Sequence, residues 1–245
     1  MVISHSETGT SIIREIIESN LVPANDFIYG FAIVQGLLDK EYDDFPVGIS
    51  IGKKLDDHIV DAIIQGPTLE YLNHYKEVNN ELALIAANIC KELEHCGIKC
   101  AGIVPTLSLS GDEFKPYLDS LRYKVSHKMI ATRAGLGWIG KTDLFISNDF
   151  GPRLRLVSIL VNSTPEGIYH TIDKSRCGRC NICVEKCPAK AATGELWDIY
   201  TDRDCFFDAR KCYEKCGEQG KHLLNSDTRI CGICVSVCPM GKLYI

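Results

Sequence analysis

Apolar residues fall at Ile12, Ile13, Ile16 and Ile17 behind Ser11, the spacing of one helical face, which predicts an amphipathic helix over residues 10–20. Two β-branched and aromatic runs punctuated by glycine follow, FIYGFAIV (27–34) and FPVGISIG (45–52), and both read as strands. The second is expected in the centre of a sheet. After residues 55–64, the segment from Pro67 to His95 carries no further breaker and is rich in Leu, Ala, Glu and Lys, so it predicts the longest helix of the chain. A strand is expected over Lys99–Val104 and a helix over Ser126–Ala134, running into the glycine-rich turn AGLGWIGK (134–141). The strands DLFIS (143–147) and RLRLVSILV (153–161) come next. Strands alternating with helices predict a mixed α/β or α+β domain over residues 1–164. Beyond it the periodicity gives way to short, cysteine-rich stretches, which predict a second, small domain over residues 165–245.

At 245 residues the chain can bury one core of ordinary size, whereas a unit as small as the second needs staples. Of the residues up to 170, 15 are basic and 22 acidic; the remainder carry 12 and 10. With no strongly basic domain, bulk electrostatics makes nucleic acid an unlikely partner. No apolar run reaches the length of a membrane span. The N-terminal stretch lacks the basic and continuous apolar regions of a secretory leader, so a cytoplasmic location is expected.

The thirteen cysteines change the picture most. Cys177, Cys180, Cys183 and Cys187 followed by Pro188 spell C-x2-C-x2-C-x3-C-P, the run with which bacterial ferredoxins hold a [4Fe-4S] cluster, its fourth thiolate serving a second cluster. Cys231, Cys234 and Cys238 before Pro239 supply a partner motif. By that crossed logic Cys238 completes the cluster of Cys177, Cys180 and Cys183, while Cys187 joins Cys231 and Cys234. One ligand is then missing. Cys205, Cys212 and Cys216 are the candidates, and Cys212 is preferred because Phe206, Phe207 and Tyr213 can wall a cluster and Asp208 can cap a helix there. Zinc is the competing reading of C-x2-C pairs, but it asks for two separated pairs and tetrahedral closure rather than a triple run with a C-P exit. Disulfides would need an oxidising compartment.

The segment HKMIATRAGLGWIGKTDLFISNDFGPRLRLVSILVN (127–162), followed by these motifs in this order, resembles the epoxyqueuosine reductases in a short form without their C-terminal helical repeats. The resemblance is strongest over residues 110–245. It implies a cobalamin-dependent reductase fed with electrons by a ferredoxin or flavodoxin; the missing repeats and the acidic N-terminal part make a small-molecule substrate the expectation rather than transfer RNA. It also implies that Gly135, Gly137 and Gly140 bring backbone close to a flat cofactor or to the cluster domain, with Trp138 as cover and Lys141 meeting an anionic group. The plainer reading is a tight helix-to-strand connection with Trp138 in the domain interface. Where the family carries its acidic residue this chain reads DSLRYKVSHKM, which leaves Asp119 and His127 as candidate proton donors, with Lys128 beside them. The rival function is an electron carrier or adaptor with two clusters and no catalytic centre. Three further features are read blandly: Cys90, Cys96 and Cys100 as ordinary thiols rather than a third metal site, Tyr71, His74 and Tyr75 as a helical stripe of core residues, and GDEF (111–114) as a turn.

Overall fold

The computed structural model describes residues 5–105, 114–163 and 170–242. The elements are α1 (His5–Asn20), β1 (Phe27–Ile33), β2 (Val47–Lys54), α2 (Asp57–Asp61), α3 (Leu69–His95), β3 (Cys100–Ile103), α4 (Phe114–Ser120), α5 (His127–Arg133), β4 (Gly137–Ile139), β5 (Phe145–Ser147) and β6 (Leu154–Val161); all fall near their expected places except α2 and α4, which the pattern does not predict, and β4, which forms inside the expected glycine-rich turn. Thr68 caps α3 by accepting a hydrogen bond from the Tyr71 amide, and Ser126 caps α5 through the Met129 amide. GDEF lies, but for its Phe, outside the described residues, as does the expected domain boundary.

The main sheet has the order β1-β2-β6-β3, and every neighbouring pair is antiparallel. The fold is therefore α+β rather than a parallel α/β layer. The unit β2-α3-β3 sends its two strands in the same direction but leaves a gap, and β6 fills it running the other way, a split βαβ arrangement. Alternation along β2 explains the layering. Val47, Ile49 and Ile51 join Ile13, Ile17, Leu82, Ile89 and Leu93 of α1 and α3 in the principal core. Gly48 points the other way, where a Cβ would stand 3.0 Å from Ile130 of α5, so the helix packs directly onto the sheet. The hairpin β4-β5 then carries the chain from α5 into β6.

The C-terminal part holds α6 (Ile182–Glu185), α7 (Arg203–Phe206), α8 (Ala209–Leu224) and α9 (Ile233–Ser236). It shares its apolar contacts with the rest of the chain. Ile230 and Val235 belong to the principal core, and a second core joins Ile28 and Leu154 to Cys187, Phe206 and Phe207. Arg153, fully buried, binds Asp57 at 2.9 Å and Asp61 at 2.5 Å and also reaches the Ser236 carbonyl, tying α2 to α9.

Candidate redox site

Each cysteine run is a turn followed by one turn of helix. The Cys180 amide donates to the Cys177 carbonyl, Gly178 takes a positive φ of 53°, and α6 starts at once. In the second run Gly232, at φ 89°, separates Cys231 from α9, and a Cβ there would lie 2.4 Å from Ile63. Glycine is required at that point for conformation and for space.

Burial pushes Cys238 up to about 11, and Cys183, Cys177 and Cys180 add to the shift. Burial likewise raises Cys234, on which Cys231, Cys212, Cys183 and Cys187 also act. The thiols of the two runs therefore lie close together, with Cys177 beside Cys238 in one apolar cluster and Cys187 beside Cys212 in another. On α8, Cys212 and Cys216 stand one turn apart with their Sγ atoms 4.0 Å from each other. Cys231 is drawn down to about 7, chiefly by its interaction with the Cys216 thiol. Cys205 is exposed on α7.

Among the described residues no three His, Cys, Asp or Glu side chains converge tightly enough to chelate a single metal ion. A cubane asks for something different, one thiolate at each of four irons inside a dry wall. The donor set fits that demand. Trp138, 3 % exposed, packs with Ile146, Ile172 and Met240 around Cys177 and Cys238, and Phe206, Phe207 and Ala191 enclose Cys187 beside Cys212. Tyr213, expected in that wall, instead stacks on the Arg229 guanidinium at 4.0 Å.

The AGLGWIGK segment lies at the seam with the first cysteine run. Gly135 abuts the His170 backbone, Gly137 is pressed against Ile146 in β5, and a Cβ on Gly140 would sit 3.6 Å from the Cys177 sulfur. Lys141 is buried and donates to Asn181 Oδ1 at 2.7 Å, so its charge is spent on the loop between Cys180 and α6. Gly135, Gly137, Trp138, Gly140 and Lys141 are all missing from the walls of the large cavity described next.

That cavity, of about 720 Å³, opens between α5, the sheet and the C-terminal part. Its apolar walls come from Ile139, Leu144, Phe145, Leu154, Leu156 and Val235. Its size falls in the range of roughly 300–1,000 Å³ usual for small-molecule and cofactor sites. Tyr71 lines it and also feels the charges of Cys234 and Cys231, so those two thiols lie just behind this wall. The stripe read as core thus divides: Tyr71 reaches the cavity, Tyr75 stacks under Arg155 at 4.1 Å, and His74 Nε2 accepts from the Asp56 amide.

The proton donors are rearranged. Asp119 is exposed on α4 and stands outside the cavity walls. His127 lines the cavity, but its Nε2–H donates to the Val104 carbonyl at 3.0 Å and its Nδ1 accepts from the Ser158 hydroxyl at 2.9 Å. Burial lowers its pKa to about 4, which does not suit the proton-donor role expected of it near neutral pH. Two carboxylates do line the cavity: Asp143, paired with Lys128 at 2.5 Å, and Asp202, paired with Arg122 at 2.7 Å. Sequence reading passed over Asp143 because it follows the glycine turn; its left-handed backbone, φ 57°, marks a tight turn that projects it. Arg133 also lines the cavity, with a buried Nε that has no hydrogen-bond partner among the described residues. In the remaining thiol cluster, Cys100 donates to the Cys90 carbonyl and Cys96 is exposed.

A family model described as a 4Fe-4S double cluster binding domain matches residues 176–241. The epoxyqueuosine reductase of Shewanella oneidensis is 26 % identical over 187 residues, which are 73 % of this chain and 43 % of that enzyme. Over about three quarters of its length this chain is similar to the epoxyqueuosine reductases. It spans less than half the length of such curated relatives. Its fold is also that of solved structures at 14–15 % identity. A reductive dehalogenase, whose structure suggests a mechanism for B12-dependent dehalogenation, superposes with a TM-score of 0.62 over 89 % of this chain and 30 % of its own. An epoxyqueuosine reductase holding an epoxyqueuosine-modified transfer-RNA stem loop does so at 0.57 over 96 % and 66 %. That neighbour holds a nucleic acid on a fold of this kind. Among the described residues no helix is long and apolar enough to cross a membrane.

Proposed function

We propose that this protein is an iron-sulfur reductase that takes single electrons from a ferredoxin or flavodoxin and reduces a substrate in the cavity between its two parts, with cobalamin as the resident cofactor. The observation that carries the reading is the cavity of about 720 Å³ walled on one side by Val235, the neighbour of Cys234. A pure electron carrier has no use for such a chamber behind its thiols. The clusters supply one-electron transfer when bound, and a corrin supplies a strongly reducing metal centre.

The residues present fit an amphipathic cofactor. Leu144, Phe145, Leu154 and Leu156 offer apolar faces, and the unsatisfied Arg133 Nε offers a donor to an amide or carboxylate oxygen. Cys177, Cys180, Cys183 and Cys238 would hold the first cluster; Cys187, Cys231, Cys234 and Cys212 the second. Lys128 and Asp143 hold a proton between them at the cavity wall, where reduction of an electrophile consumes one. The substrate is either a small electrophile or a modified nucleoside of transfer RNA. The anionic half of the chain by itself favours the former, and the charges of Arg122, Lys128 and Arg203 at the rim are offset by Asp202, Asp143 and Asp204.

Protein purified without air is the material for the test. Iron and sulfide near eight each are expected, together with a shifted corrin spectrum and binding heat on titration with hydroxocobalamin. Absence of both corrin signals sinks the cobalamin assignment. Substitution K128M is expected to leave corrin binding in place and to slow substrate turnover at least tenfold; unchanged turnover would remove Lys128 from the proton path.

A further inference from the structure

Five thiols surround the second cluster position, and a cubane has four corners. Cys187, Cys231 and Cys234 account for three. Cys212 and Cys216 share one face of α8 at i and i+4, with their sulfurs 4.0 Å apart. Thiolates that hold different irons of one cubane stand farther apart than two sulfurs in hydrogen-bond contact, so this pair competes for a single corner.

The helix makes the placement a durable one. Asp208 caps α8 by accepting from the Lys211 amide at 2.9 Å. One turn beyond Cys216, a Cβ on Gly220 would stand 1.8 Å from the Thr228 carbonyl oxygen, so α8 presses directly on the segment that leads to Cys231. Cys205, by contrast, is exposed on a separate helix and has no part in this set.

We propose that Cys212 and Cys216 form an exchangeable ligand pair at one corner of the second cluster. This rests on the double-cluster reading given above. Cys212 holds the iron as thiolate. Cys216 is the uncoordinated thiol, its sulfur in hydrogen-bond contact with that of Cys212. Exchange moves one proton from Cys216 to Cys212 as the iron–sulfur bond to Cys212 breaks and that to Cys216 forms, with no net change in electrons. A hydrogen bond to a ligand sulfur stabilises its negative charge most in the reduced cluster, so Cys216 raises the potential of this cluster above its value without that contact.

The experiment uses full-length protein purified without air: wild type, C216A, C212A and C212A/C216A. Iron content, the electron paramagnetic resonance spectrum of the reduced protein and the two midpoint potentials are measured. Wild type is expected to hold near eight irons; fewer than about six would overturn the double-cluster reading itself. C216A should keep them and lower one potential only. C212A should also keep them, through Cys216, with an altered spectrum of one cluster. The double variant should lose one cluster or show a three-iron signal. Loss of iron in C212A equal to that of the double variant would overturn the exchange, and so would loss in C216A alone. Unchanged potentials in C216A would overturn the tuning role. If the double variant does not accumulate, the two single variants still decide.

Discussion

Single side chains in the cavity wall are set by what surrounds them more than by their identity. His127 has the residue type of a proton donor, yet the Val104 carbonyl and the Ser158 hydroxyl occupy both its nitrogens. Burial is the main cause of its depressed pKa of about 4, and the charge of Arg155 acts in the same direction. An unfolded histidine titrates near 6.5. Between these values the unfolded chain binds a proton that the folded chain does not, so stability falls as pH drops from about 6.5 toward 4 and is insensitive to this group above that window. Denaturant midpoints at pH 7.5 and 5.5 should therefore differ more in the wild type than in H127Q. Equal differences would show that the imidazole is not held neutral. Asp143 teaches the opposite lesson. It was illegible as a site residue, since only the fold brings residue 143 opposite Lys128, whereas Asp119 stands nearer to Lys128 along the chain and ends on the surface.

At the scale of elements, local rules carried a long way. Helical periodicity placed α1, α3 and α5 within a few residues, and Asp208, read as a cap from sequence, does accept a hydrogen bond from the Lys211 amide at the head of α8. Substitution D208A should cost about 1 kcal/mol, as lost N-caps do, and loosen the helix that presents Cys212. What periodicity could not give was strand direction, because the antiparallel insertion of β6 between β2 and β3 is decided by tertiary packing. The glycine-rich turn was legible as something special but its partner was not. In β4, a Cβ on Gly137 would lie 2.1 Å from the Ile146 carbonyl oxygen and 2.7 Å from the Ser147 Cα, and neither is a side chain that can swing away. G137A is expected to destabilise the protein by about 2–4 kcal/mol, the scale of backbone and packing defects. It should also release iron, since β4 carries Trp138 against Cys177 and Cys238. Normal iron retention in a destabilised G137A would detach the hairpin from the first cluster site.

Over the whole molecule, sequence suggested two domains because composition changes abruptly near residue 165, and composition says nothing about shared cores. Ile230 and Val235 are buried among Ile63, Tyr71 and the residues of α3, while Phe206 and Cys187 pack with Ile28 and Leu154 of the sheet. Arg153 adds a polar tie: it is wholly buried, and its partners Asp57 and Asp61 are only partly so. Arginine at that place holds Asp61 below the usual carboxylate range by its hydrogen bond. R153A should cost about 2–3 kcal/mol, less than the 3–5 kcal/mol of a fully buried pair because water reaches the two carboxylates left behind. Cluster binding supplies folding free energy that a small loop-rich unit cannot draw from its own core. With cores shared, that energy is shared too. Stripping the clusters with a chelator under air should raise hydrogen exchange not only in α8 but also in β2 and in α3 opposite Ile230 and Val235. If the amides of α3 keep their native protection while residues 170–242 open, the two parts fold independently, and the seam built by Arg153, Val235 and Phe206 contributes little to the stability of either.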